Sequence, residues 1–159
     1  MLDLARSLQM RPFELADAGT VEPWLTGPGL SLPGGALRRE WPQRLLSDAR
    51  IVARIAETGG RKVGLVRLDW GPDGIAELTL VVAPDSRRLG HGTAMFAGAL
   101  QVARQMNLRR LLALVDIGNR GAIEFFGEQG FVAEGMLGSR IRLTRLVHAG
   151  GKRPLEIEP

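Results

Sequence analysis

The sequence predicts an α/β (α+β) domain, a mixed sheet flanked by helices, and three observations predict it. Strand-like and helix-like segments alternate in the order strand, two helices, three strands, helix, strand, helix, two strands. The segment Thr93 to Met106 places Met95, Ala99, Val102 and Met106 at helical spacing, with Phe96, Leu100 and Ala103 widening the apolar face. That helix joins two strand-like runs, Ile75 to Ala83 and Arg109 to Asp116, so the two should lie parallel through a right-handed crossover.

The remaining elements follow from local chemistry. Gln9 to Leu15 reads as a first strand, and Asp17 is positioned to cap a helix running toward Trp24. The Gly- and Pro-rich stretch from Thr26 to Gly35 is a loop, followed by a helix over Leu37 to Ser47 with Pro42 either near its start or kinking it. Ala49 to Glu57 and Lys62 to Trp70 read as strands joined at Thr58-Gly59-Gly60-Arg61. Gly71-Pro72-Asp73-Gly74 is a turn before the strand at Ile75, and Pro84 to Gly92 is a loop. Arg109 to Asp116 is apolar on both faces, which suits a central strand covered on both sides. Arg120 to Gln129 is a short helix, with Asn119 as cap and Gly130 as left-handed terminator. Ser139 to Val147 and Leu155 to Ile157 would form a final hairpin.

Composition narrows the chemistry. The 159 residues suit a single domain over 1–159, and 45% hydrophobic with 24% charged residues is an ordinary globular mixture. No cysteine is present, so disulfides, thiolate metal sites and a cysteine nucleophile are excluded. His91 and His148 lack ligand-like spacing, so no metal is expected. No apolar run is long enough to span a bilayer, and the N-terminus does not read as a signal peptide, so a cytoplasmic protein without membrane attachment is expected. The net charge of +4 comes almost wholly from arginine, a bias that suits a GC-rich bacterial genome. It suits an anionic ligand. The arginines are scattered and no nucleic-acid motif accompanies them, so a nucleic-acid partner is not expected, and a basic nucleic-acid-binding module stays only as a competing reading of the arginine content.

The segment from Leu80 to Thr93 carries the chemistry. A strand leads through a glycine-bearing loop, Arg87-Arg88-Leu89-Gly90-His91-Gly92, into a helix. Free amides at a helix start favour an anion, and glycines let the backbone approach phosphate closely. The loop lacks the Gly-Lys-Ser/Thr ending of a Walker loop and the spacing of the dinucleotide fingerprint. It reads as a pyrophosphate cradle.

This loop resembles the Arg/Gln-x-x-Gly-x-Gly/Ala motif of the GNAT superfamily of N-acetyltransferases. Ala76 to Asp85 looks like that family's fourth strand and its exit, and Asn119 to Phe131 resembles its Asn-x-x-Ala…Tyr-Glu-x-x-Gly-Phe block. Arg11 to Ala18 looks like a common start of the family. The resemblance implies a mostly antiparallel sheet of six to seven strands with a parallel central pair and about four helices. It implies acetyl-coenzyme A as co-substrate, with the pantetheine arm beside Leu80, Val81 and Val82. Amides from Arg88 through Thr93 (Leu89, Gly90, His91 and Gly92 between them) would hold the pyrophosphate beside Arg87, and Asn119 would lie near the arm. The acetyl group would pass directly to an amine.

Direct attack needs a neutral amine, and an ammonium of pKa about 10.4 must first lose a proton. Glu77 is the candidate general base, sharing a strand face with Thr79 and Val81, while Asp69 and Asp116 are weaker candidates. A solvated carboxylate or an arginine partner is the competing reading of Glu77. Many family members carry a tyrosine near the coenzyme sulfur, but Phe126 stands at that position and the chain contains no tyrosine. Phe126 cannot donate a proton and reads as an apolar wall or as helix packing.

By the same resemblance the acceptor pocket involves Trp24 to Gly35, Trp41 and the Ser139 to His148 region, with Trp24 and Trp41 able to line it or to pack. A small-molecule amine is the favoured partner, with a protein or peptide N-terminus and a non-catalytic coenzyme A-binding sensor domain as alternatives. The sheet edge and the C-terminal hairpin leave room for a homodimer.

Overall fold

The computed structural model describes residues 7–25, 40–87 and 90–148. Seven strands form one sheet in the order β1-β2-β3-β4-β5-β7-β6. They are β1 (Leu8–Pro12), β2 (Ile51–Thr58), β3 (Arg61–Trp70), β4 (Ile75–Val82), β5 (Arg110–Asp116), β6 (Val132–Leu137) and β7 (Arg140–Leu146). Every neighbouring pair is antiparallel except β4 and β5. The helices are α1 (Ala18–Val21), α2 (Trp41–Ser47), α3 (His91–Gln105) and α4 (Arg120–Glu128). Short 3₁₀ turns at Leu15–Asp17, Glu22–Leu25 and Pro84–Ser86 complete the described elements.

Local chemistry explains several boundaries. Gly59 and Gly60 adopt φ of 59° and 78°, the left-handed pair that a two-residue hairpin turn requires between Thr58 and Arg61. Gly130, at φ 92°, follows α4 in the conformation that ends a helix. Pro42 falls in the first turn of α2, where its missing N–H costs nothing.

Two apolar clusters sandwich the sheet. On one face α3 and α4 pack Met95, Phe96, Ala99, Leu100, Ala103 and Phe126 over Val66, Leu68, Leu78, Leu111, Ala113 and Leu143. On the other, α1, α2 and the turn between them pack Val21, Trp24, Trp41 and Leu45 over Ile55, Leu65, Val81 and Ala83. Burying each large side chain contributes roughly 1.5–3 kcal/mol.

Three sequence expectations need correction. The segment from Asp17 to Trp24 is a 3₁₀ turn, one short α-helix and a second 3₁₀ turn rather than a continuous helix. Asp17 does not cap α1; its carboxylate closes the preceding turn by accepting from the Glu14 N–H at 2.8 Å. β7 forms its hairpin with β6, a strand the sequence reading did not place, and the expected partner, Leu155 to Ile157, lies outside the described residues. β5 is central, but its second face, Leu112 and Leu114, is only half-buried. The start of the α2 segment, Leu37 to Arg39, also lies outside the described residues.

Candidate active site

The site begins with a mismatch in the sheet. β4 pairs with β3 over seven register positions, from Gly64↔Val82 to Trp70↔Ala76. It pairs with β5 over only three, from Ile75↔Arg110 to Glu77↔Leu112. Beyond Glu77 the two parallel strands part. Backbone direction alternates along a strand, and the bonds at the ends of β4 fix which residues face which side. The Ala83 N–H donates to Val63 O (2.8 Å) and the Gly71 N–H to Ile75 O (3.0 Å), so odd-numbered residues of β4 face β3. The Arg110 N–H donates to Gly74 O (3.3 Å), so even-numbered residues face β5. The backbone groups of Leu80 and Val82 therefore point into the split with no strand partner among the described residues, apart from Val82 O, which accepts from Arg87 Nε at 3.3 Å. Unpaired strand groups of this kind can take an extended ligand as an additional strand.

Next along the chain after the exit of β4 comes the start of α3. Gly90 is the residue before the helix, at φ 82°, and nothing lies within 4 Å of where a Cβ would stand. The N–H groups of His91, Gly92 and Thr93 precede the first helical hydrogen bond, Ala94 N–H to Gly90 O, and lack helical acceptors. Such a terminus favours an anion. Arg87, three residues before Gly90, is exposed, and Arg88 and Leu89 lie outside the described residues. The strand exit is pinned by buried Ser86, whose hydroxyl accepts from Arg61 Nη2 at 3.1 Å.

The block after β5 contributes one expected residue and one missed by sequence reasoning. Asn119 caps α4, its Oδ1 accepting from the Ala122 N–H at 3.2 Å. Phe126 is buried between Phe125 and Phe131, with ring centroids 5.3 and 5.0 Å away, as part of the core. Its neighbour Phe125 is the ring beside the helix start, 3.3 Å from where a Cβ on Gly92 would lie. The two phenylalanines are adjacent in sequence, and only the phase of α4 separates their roles.

Glu77 projects on the face opposite α3, half-buried, with Asp69 opposite it on β3. Burial pushes its carboxyl above the ordinary value and Asp69 adds to the rise, while Arg67 and Arg140 oppose it. Arg67 grips Asp69 with both ends of its fork, at 2.7 and 2.8 Å. Asp116 sits on β5 opposite Arg140 of β7. A half-buried carboxyl of raised pKa beside the split is suited to accept a proton.

Trp24 and Trp41 are 7% and 5% exposed, packed with Val81 and Ala83 in the second core. The Trp41 Nε1–H donates to Glu22, and its ring lies 5.7 Å from Phe13. They support the outer face of β4 from beneath. A carboxylate holds this layer in place: Asp17, 1% exposed, accepts from Arg11 Nη1 and Nη2 (2.9 and 2.8 Å) and pairs with Lys62 Nζ (2.8 Å).

Comparison with known proteins bears on the fold and the family. Residues 9–131 match the Acetyltransferase (GNAT) family. An uncharacterized N-acetyltransferase of Methanocaldococcus jannaschii is 30% identical over 100 residues, 58% of this chain and 44% of that protein. The chain thus spans less than half the length of that relative. A spermidine N-acetyltransferase chimera from Vibrio cholerae and hSSAT superposes with a TM-score of 0.77 at 21% identity, covering 88% of this chain and 95% of that one. The Vibrio cholerae spermidine N-acetyltransferase in complex with CoA and spermine gives 0.72 at 21% identity, covering 87% and 95%. At those identities the likeness is one of fold. With the family match extending over more than half its length, the chain belongs to the GNAT family of acetyltransferases.

Proposed function

We propose that this protein transfers an acetyl group from acetyl-coenzyme A to a primary amine of a small molecule. The observation that carries the reading is the split between β4 and β5, with the backbone groups of Leu80 and Val82 turned into it. Acetyl-coenzyme A, when bound, supplies the activated acetyl thioester. The residues present fit it. Leu80 and Val82 offer the free edge of a strand to the pantetheine arm, and Val81 braces that edge from the second core. The first amides of α3, with Arg87 three residues before Gly90, suit the pyrophosphate. Phe125 walls the cradle, and Asn119 fixes the start of the helix that carries it. Glu77, on the open face, takes the proton from the incoming amine. N–H groups lining the split are suited to hold the oxygen that gains charge during transfer.

The test is calorimetric titration with acetyl-coenzyme A of wild type, Gly90→Asn and Gly90→Asp. Asparagine and aspartate both tolerate the left-handed backbone at this position, so the pair separates charge from strain. Wild type is expected to bind saturably, and Gly90→Asp to bind at least about tenfold more weakly than Gly90→Asn. Equal binding by the two variants, or none by folded wild type, would refute the cradle.

One observation favours a second reading. Phe126 stands where many family members carry a tyrosine, and no tyrosine exists in the chain to protonate a leaving thiolate. A coenzyme A-binding sensor would bind acetyl-coenzyme A and acetylate no amine; a single robust turnover removes that reading.

A further inference from the structure

The face of the sheet that carries Glu77 continues across the split. Leu111, Ala113, Val115 and Leu143 belong to the core beneath α3 and α4. Alternation therefore turns Arg110, Leu112, Leu114 and Asp116 of β5, and Arg140, Arg142 and Thr144 of β7, to the same side as Glu77. Most of the charges on this face are matched. Arg67 holds Asp69. Arg110 reaches Glu134 at 3.5 Å and the Thr144 hydroxyl at 3.4 Å. Asp116 accepts from the Gly118 N–H at 2.9 Å and faces Arg140, whose charge also acts on Glu77. Two groups are left over. Glu77 makes no hydrogen bond among the described residues, and half-buried Arg142, opposite Leu114, has neither a hydrogen bond nor an ion pair among them.

From this arrangement we infer that Arg142 determines acceptor specificity by holding an anionic group, so that the acceptor is a zwitterion, an amine that also bears a carboxylate. The inference rests on the acetyl-transfer reading and names the substrate class of that same site. Glu77 and Arg142 lie two strands and two residues apart. At about 4.8 Å per strand and about 3.3 Å per residue their Cα atoms are roughly 12 Å apart, before the splay is added. Side chains stand roughly perpendicular to a sheet, so the two groups face each other across a gap of that order, which a compact molecule can bridge with its amine at Glu77 and its anion at Arg142. Guanidinium is the side chain best shaped to grip a carboxylate with two parallel hydrogen bonds. An all-cationic polyamine would set a second cationic group against Arg142, with no anion to offer it.

The experiment measures initial rates of coenzyme A thiol release with matched acceptors: γ-aminobutyrate against n-propylamine, phenylalanine against phenethylamine, and spermidine. Wild type is expected to prefer the carboxylate-bearing member of at least one pair by about tenfold or more in kcat/KM. Arg142→Gln is expected to bring that ratio within about twofold, chiefly by raising KM for the carboxylate-bearing member, and Arg142→Lys to retain part of it. A wild type that favours spermidine or the plain amines overturns the inference, as does an unchanged ratio in Arg142→Gln. Acetyl-coenzyme A binding without acetylation of any member overturns it while leaving coenzyme binding intact. Absence of that binding overturns the acetyl-transfer reading itself. Where Arg142→Gln fails to fold, Arg142→Lys carries the test, and a ratio unchanged from wild type in that variant overturns the inference.

Discussion

Replacing Asp17 by asparagine tests how the layer over β4 is held. The carboxylate receives Arg11 twice, Lys62 once and the Glu14 N–H once, all between 2.8 and 2.9 Å, and it is 1% exposed. An amide of the same shape turns an NH₂ group toward donors and removes the charge that balances two cations. Breaking a buried ion pair by removing one partner costs about 3–5 kcal/mol. The lower end applies here, because Arg11 keeps Glu57 at 3.0 Å and the partly exposed Lys62 can reach water. A loss of about 3 kcal/mol lowers Tm by roughly 6–12 °C in a chain of this size. Arg11 holds the Asp17 carboxyl well below the usual carboxylate range, with further help from Lys62 and the Glu14 N–H against the cost of burial. A depressed folded-state pKa stabilises above the unfolded value near 3.9 and loses that stabilisation as pH falls through the folded value. The gap between wild type and Asp17→Asn should therefore be full at pH about 7 and shrink in strong acid. Urea unfolding at a series of pH values measures it. A loss under about 1 kcal/mol at neutral pH, or a gap unchanged in strong acid, would refute the reasoning.

Other substitutions separate the parts of the account. Glu77→Gln should slow acetyl transfer by about 10²–10⁴-fold at saturating acetyl-coenzyme A, read by thiol release, while leaving coenzyme binding in place. The raised pKa of Glu77 also gives a stability sign: its contribution is present below the ordinary carboxylate pKa and is lost as pH rises through the folded value. Glu77→Gln should therefore gain on wild type in thermal stability as pH rises from acid to neutral. Gly64→Ala would set a Cβ 2.9 Å from Val81 O and 2.5 Å from the Met95 sulfur and methyl. The methionine can move and the β4 carbonyl cannot, so a loss of about 1–3 kcal/mol in urea unfolding is expected. Gly98→Ala meets only the flexible Met10 side chain, at 2.8 and 3.0 Å, and gains helix propensity, so its stability should stay within about 1 kcal/mol of wild type.

The strand-loop-helix unit from Ile75 to Gln105 was legible because its signals are local: apolar alternation, glycines at the turn, and a 3.6-residue period after it. β6 was not legible. Glu134 and Gly135 interrupt its alternation, Gly135 sits at φ 128°, and every residue of the strand is exposed, so no buried face marks it. The split itself escaped the sequence because register is a property of two strands together. Leu112 and Leu114 make β5 look covered on both faces, yet they border an open one. Asp17 precedes a helix and so resembles a cap, but the partners that claim it, Arg11 and Lys62, arrive from β1 and β3. Trp24 and Trp41 carry no sequence mark that separates lining a pocket from filling a core.

The most direct test of the central claim is amide hydrogen exchange along β4, measured by NMR with and without acetyl-coenzyme A. The Thr79 and Val81 amides face β3 and should be protected in both states, whereas those of Leu80 and Val82 should exchange readily in the free protein and become protected when the coenzyme binds. If Leu80 and Val82 are already protected without ligand, or stay unprotected at saturating acetyl-coenzyme A, the split is not where the coenzyme lies.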